Sequence, residues 1–191
     1  MCSSDLYFAN VGDTRRQGVE ASAGGRYRTT GGSRLDWSLH YTLMRATFET
    51  PFTALSAAHP DAVDGAIQVP AGAHLPGVPN HVGKAGVSFS SHEGYSVGAS
   101  VVANSSQYLR GDEANHLSPL AGYVVVNARA GYRVCDPLSL VLLVDNVFDA
   151  RTSTFGVVGN AREVLGPTYS SPRFVGPGAP RGMWLGVELQ R

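Results

Sequence analysis

Between Ala121 and Asp149 the chain alternates apolar and polar residues through two successive segments, and that period of two decides most of what it can fold into. Val124, Val126, Ala128, Ala130, Tyr132 and Val134 share one parity, while Tyr123, Asn127, Arg129 and Arg133 share the other. Side chains of an extended strand point alternately to opposite sides, so the segment has one apolar face and one polar face. A short turn, Cys135-Asp136-Pro137, follows, and Leu138, Leu140, Leu142 and Val144 repeat the apolar side opposite Ser139 and Asp145. Two-faced segments of about ten residues are long enough to cross a bilayer as tilted strands, one face toward lipid and the other toward water. The pattern predicts an antiparallel pair of membrane-spanning strands.

No helical span competes with that reading. Hydrophobic residues make up 43% of the 191 positions, yet no window approaches the run of about 18 apolar residues that a transmembrane helix needs. Any crossing is therefore β. The 15 basic and 15 acidic residues cancel, so the chain lacks the basic footprint of a nucleic-acid partner. Cys2 and Cys135 form neither a CxxC pair nor a disulfide framework, and no structural zinc site is expected. The start, Met1–Asp13, lacks a basic segment followed by an apolar core, so no secretory signal is visible. That leaves two alternatives: a soluble chain, or a fragment whose targeting segment lies upstream.

Strands are expected near residues 4–10, 15–28, 34–48, 81–92, 94–107, 121–134, 138–149 and 181–190. Tight turns at Thr29–Ser33, His92–Gly94 and Cys135–Pro137 alternate with long connections at Thr50–Pro79, Tyr108–Leu120 and Ala150–Pro180. Short turns at one end and long loops at the other is how outer-membrane barrels are built, the short turns being periplasmic. Parity agrees strand by strand: Leu35, Trp37, Leu39, Tyr41 and Leu43 lie opposite Asp36, Ser38, His40 and Thr42. Tyr27, Trp37, Tyr95 and Tyr132 fall on apolar faces close to the short turns, where a ring of amphipathic aromatics would meet the membrane interface. The long connections carry no helical period, and five prolines between Pro51 and Pro79 argue against regular pairing there.

Several phrases resemble the C-terminal barrel of the TonB-dependent receptors, outer-membrane transporters for iron chelates, vitamin B12 and other scarce nutrients. They are Asn10-Val11-Gly12 with Arg15, Arg16, Gly18, Val19 and Glu20; Leu75-Pro76-Gly77-Val78-Pro79-Asn80-His81; Gly122 to Asn127 with Tyr132-Arg133; Asp145-Asn146-Val147-Phe148-Asp149; and Gly178-Ala179-Pro180-Arg181 before the last strand. The resemblance covers nearly the whole chain in order. It implies that residues 1–191 are a C-terminal portion of a receptor barrel, an all-β antiparallel transmembrane segment of about eight strands in the cell outer membrane. On that resemblance the plug domain and signal peptide are expected to be missing from these residues, and contact with the energy-coupling protein TonB would run only through the missing N-terminal part. The ending Leu189-Gln190-Arg191 also lacks the terminal aromatic usual in outer-membrane strands. A plugged transporter barrel has about 22 strands, so such a segment needs the remaining strands, the plug and outer-membrane lipid as partners.

Catalytic motifs are lacking: the six histidines are scattered, and neither H-E-x-x-H nor G-x-S-x-G occurs. The chain is read as no enzyme, and no cofactor or metal is implied. The strongest ligand-contact candidates are Arg110, which suits an anionic chelate, and Asp112, Glu113 and His116, which suit a cation. The bland alternative is a solvated loop with an internal Arg–Asp pair. His59, Asp61 and Asp64 form a weaker cluster of the same kind. Glu20, Lys84, Asn127, Arg129 and Arg133 are expected to face the lumen, either bonding a plug or keeping a wet wall polar. Two rival architectures remain: a self-contained eight-stranded outer-membrane barrel with a structural or adhesive role, and a soluble β-sandwich whose apolar faces would form one internal core.

Overall fold

A computed structural model describes residues 12–166 and 168–189. Seven long strands form one antiparallel sheet in the order β1 (Thr14–Arg28), β2 (Arg34–Phe48), β5 (His81–Ser90), β6 (Tyr95–Asn104), β7 (Tyr123–Cys135), β8 (Leu138–Asp145) and β11 (Gly182–Leu189). Each strand pairs with the next long strand in sequence, giving an up-and-down meander. The long connections hold two further hairpins, β3 (Phe52–Leu55) with β4 (Ala66–Val69) and β9 (Ser153–Val158) with β10 (Arg173–Pro177), and a one-turn helix, α1 (Ala161–Leu165). Seven of the eight expected strands are therefore present. The eighth, near residues 4–10, lies outside the described residues, as do Cys2, Asn10, Val11 and the position of Arg191.

Register converts the sequence parity into two continuous faces. One row across the sheet reads Ala23, Leu39, Ala85, Val101 and Val126, and another reads Tyr27, Leu35, Phe89, Val97, Ala130 and Leu142. Among the described residues nothing covers them. Leu39 is 49% exposed, Leu140 40% and Val187 64%, values that a sandwich core would drive toward zero. The single-layer sheet thus removes the soluble-sandwich reading, because no core of that kind lies between its apolar face and a second sheet among the described residues. Tyr27, Trp37, Tyr95 and Tyr132 lie on this outer face near the short turns and are exposed, with Tyr95 directly opposite Tyr132.

The other face is concave. A trough of about 410 Å³ runs across β2, β5, β6, β7 and β8, lined by Asp36, Ser38, Ser88, Ser100, Asn127 and Arg129. It is less uniformly polar than the sequence predicts: Arg129 is opposite Leu143, which is opposite Trp184, so an apolar pair interrupts the wet wall. The sheet does not close. β1 and β11 are its two edges rather than neighbours, so the eight-stranded closed barrel finds no closing pair among the described residues.

What the sequence reading missed is regular structure in the long connections. The prolines punctuate pairing rather than prevent it: Pro51 precedes β3, Pro70 follows β4, and Pro177 ends β10 where the register shifts. The densest packing of the molecule also sits here. Ala46, Phe48, Ile67, Val69, Ala73, Leu75 and Ala114 form a buried cluster at the long-loop end, with Phe48 meeting Phe52 edge-on at 4.8 Å. Burying each large side chain contributes about 1.5–3 kcal/mol.

The expected strand 138–149 stops at Asp145, because Asn146 and Asp149 adopt left-handed backbone, φ 50 and φ 52. Asn146 is buried, and its side chain donates to the Ala150 and Ala179 carbonyls, both at 3.0 Å, and accepts from the Ala150 amide at 2.9 Å. Its own amide donates to the Asn127 side chain at 2.9 Å. Asparagine tolerates the left-handed region better than alanine. Asn146→Ala removes the side-chain partner of three part-buried backbone groups and strains the turn, so a loss of about 2–3 kcal/mol in unfolding free energy is expected. Equilibrium urea unfolding in detergent measures it, and a loss below about 0.5 kcal/mol would show that the node holds nothing together.

Candidate functional site

The long-loop end is knitted into one cap. Residues 49–80 and 105–122 meet through the Ser56 hydroxyl, which donates to the Gly111 carbonyl at 2.7 Å, and through Asn115, whose side chain accepts from the His74 amide at 2.6 Å and donates to the His74 carbonyl at 3.0 Å. The Gly77 amide also donates to the Tyr108 carbonyl at 2.9 Å. Residues 105–122 and 146–181 are stitched by the Arg110 amide donating to Gly156 and the Val158 amide donating to Arg110, at 3.0 and 2.7 Å. Gly156 makes this approach possible, since a Cβ there would stand 3.0 Å from a Leu120 methyl and 3.2 Å from Leu109.

At the centre of the cap, two clusters that look separate in sequence become one network. Asp112 and His59 are fully buried, and the His59 ring Nε2 lies 3.1 Å from an Asp112 carboxylate oxygen. The Asp61 amide donates to His59 Nδ1 at 3.1 Å, which requires that nitrogen to be unprotonated and assigns the ring proton to Nε2. Asp112 also accepts from the His116 and Leu117 amides at 2.8 and 3.0 Å. On the solvent side the His116 ring meets Asp61 at 2.8 Å. Asp64 does not join this network and instead takes left-handed backbone at φ 54.

Each loop candidate can now be placed. Arg110 is exposed, and its guanidinium lies 5.6 Å above the Phe155 ring; no Arg110–Asp112 ion pair is recorded among the described residues. Glu113 accepts from the Gly111 amide at 3.0 Å, which steadies a turn at φ 89. Asp112, Glu113 and His116 do not converge: among the described residues no three His, Cys, Asp or Glu side chains are arranged to hold a metal ion. The signal that sequence lacked was pairing across distance, for His59 and Asp112 are 53 residues apart.

The inner-face candidates share one side of the sheet by register. Asn127 and Arg129 line the trough. Lys84 lies between His40 and Val102, Glu20 is opposite Thr42, and Arg133 lies 3.8 Å from Asp136 beside the short turn. Sequence alone did not single out Asp36, which faces both Arg26 and Arg34 on this wall near the first short turn.

A lone curved sheet, apolar and uncovered on its convex side and polar on its concave side, is the wall of a transmembrane β-barrel. The family model for the TonB dependent receptor-like beta-barrel matches residues 2–147, and the chain belongs to that family. Solved structures agree in fold. The siderophore receptor PiuA from Acinetobacter baumannii is 20% identical with a TM-score of 0.70, over 93% of this chain and 22% of that one. The ferric yersiniabactin uptake receptor FyuA from Yersinia pestis is 19% identical with a TM-score of 0.65, over 93% and 23%. The copper transporter OprC is 21% identical with a TM-score of 0.55, over 92% and 24%. The chain thus spans under a quarter of the length of these receptors. No curated protein matches it.

Proposed function

We propose that this chain is a C-terminal wall of an outer-membrane receptor that imports a chelated nutrient, such as an iron–siderophore complex, with energy supplied through TonB. The observation that carries the reading is the apolar convex face, left bare across all seven strands of the sheet, on a chain of this family. One solved structure is named a siderophore receptor and another a ferric yersiniabactin uptake receptor, which favours an iron chelate as cargo. In this reading the inner face, Glu20, Lys84, Asn127, Arg129 and Arg133, looks toward a plug supplied by a preceding part of the receptor. The loop cap faces the medium, where Arg110 offers the cargo a guanidinium while Asp112 holds the loops in place.

The open edges of β1 and β11 fit a wall that continues into further strands, because unpaired backbone groups in lipid cost several kcal/mol each. The expected result is that coding DNA preceding Met1 reads in frame into a plug and a signal peptide. Expressed with that segment, the chain is expected to fractionate with outer membranes and to support uptake of labelled ferric chelates only in cells that possess TonB. An unrelated complete gene upstream, or uptake that persists without TonB, would overturn the proposal.

A further inference from the structure

Where the third long connection lies against the start of β7, the two enclose a cleft of about 410 Å³, apart from the His59–Asp112 network. Arg151 and Arg173 both line it, with Tyr123, Ser153 and Ser171 bringing hydroxyl groups and Leu120 forming an apolar wall. No aspartate or glutamate lines it. Among the described residues neither arginine forms a salt bridge, and the recorded side-chain hydrogen bond of Arg173 is a long one, 3.4 Å, from its Nη2 to the Pro119 carbonyl. Most of ten guanidinium N–H groups, five per arginine, therefore have no protein acceptor. In a chain whose charges sum to zero, two cations in one cleft without a counter-ion are a local choice rather than a general basicity.

Both arginines also stand on restrained backbone. Arg173 pairs with Val158 in the β9–β10 hairpin. Arg151 directly follows Ala150, whose amide and carbonyl are both held by the buried Asn146 side chain. Preorganised forks of this kind match the paired oxygens of carboxylate and phosphate. We propose that the cleft is an anion site, in which Arg151 and Arg173 clamp the carboxylate or phosphate oxygens of a small soluble ligand. It rests on the receptor reading, and it adds to Arg110 a second point of contact for an anionic chelate, formed by the exposed Arg151 and the half-buried Arg173.

The test is calorimetric titration of citrate and of inorganic phosphate into the chain in lipid-free zwitterionic detergent at low salt. Citrate is expected to bind. Arg151→Gln and Arg173→Gln should each weaken it about tenfold, since hydrogen bonds to charged groups are at stake, and the double variant should abolish it. Arg28→Gln, exposed at the short-turn end of β1 and away from the cleft, should leave it unchanged within about twofold. Circular dichroism checks that each variant keeps its β content. No binding of either anion, or an equal loss in Arg28→Gln, would overturn the proposal. Citrate binding that disappears when vesicles of anionic phospholipid are added would assign the cleft to lipid headgroups, which also overturns it. Failure of the titration alongside intact TonB-dependent uptake removes the cleft and leaves the receptor reading standing.

Discussion

Leu39→Arg is expected to destabilise the chain in lipid by about 2–4 kcal/mol, the cost of a cationic side chain on the lipid face near the bilayer midplane. Leu39 sits midway along the outer face of β2, with Ala23 and Ala85 beside it and Val101 and Val126 continuing the row. No polar partner in that row can accept a guanidinium. The matched control is Ser38→Arg, one residue away and facing the concave polar trough, where a surface-like change within about 0.5 kcal/mol is expected. Urea unfolding in phospholipid vesicles gives both numbers. The two tryptophans report the faces directly, since Trp37 lies on the outer side and Trp184 on the inner. Brominated lipid should quench Trp37 in a Trp184→Phe chain and leave Trp184 bright in a Trp37→Phe chain. Equal penalties at positions 38 and 39, or equal quenching, would end the idea that one face meets hydrocarbon.

The same alternation explains why the sheet was legible in sequence. A period of two is local, and β2 is found over the expected residues 34–48, while β7 and β11 differ by only one or two residues at their ends. Strand ends slipped where a single backbone angle decided them, as at Asn146. The loop hairpins were illegible for a different reason. β3, β4, β9 and β10 are only four to six residues long, too short to show a period. What fixes them lies elsewhere in the chain: Phe48, Leu75 and Ala114 around β3 and β4, and Leu109, Leu120 and Arg110 around β9. Of the candidate site, sequence marked the loop that carries residues 110–116, but it could not tell the inward Asp112 from the outward Arg110 two residues away.

That distinction sets up the largest local effect. Asp112→Ala is expected to loosen the cap by about 3 kcal/mol while leaving the sheet intact. Asp112 accepts three N–H donors, from the His59 ring and from the His116 and Leu117 amides; its side chain and the His59 ring are fully buried, and the two amide bonds are part-buried. Alanine leaves all three without a partner, and each unsatisfied buried group costs about 1–3 kcal/mol before relaxation lets water in. Asp112→Asn should cost less, though not nothing, because its amide nitrogen must confront an N–H donor where the carboxylate offered a second acceptor. His116→Ala should be nearly silent, for the His116–Asp61 contact is about half exposed on both sides and such pairs contribute little. Hydrogen exchange in detergent reads the difference. At about 1.4 kcal/mol per decade, the His116 and Leu117 amides should exchange roughly a hundredfold faster in Asp112→Ala, while amides of β5, β6 and β7 keep their rates. If the carboxylate instead served a bound cation, Asp112→Ala would leave apo-protein exchange unchanged and alter it only when metal was added. The saturated hydrogen bonds of Asp112 predict the opposite order.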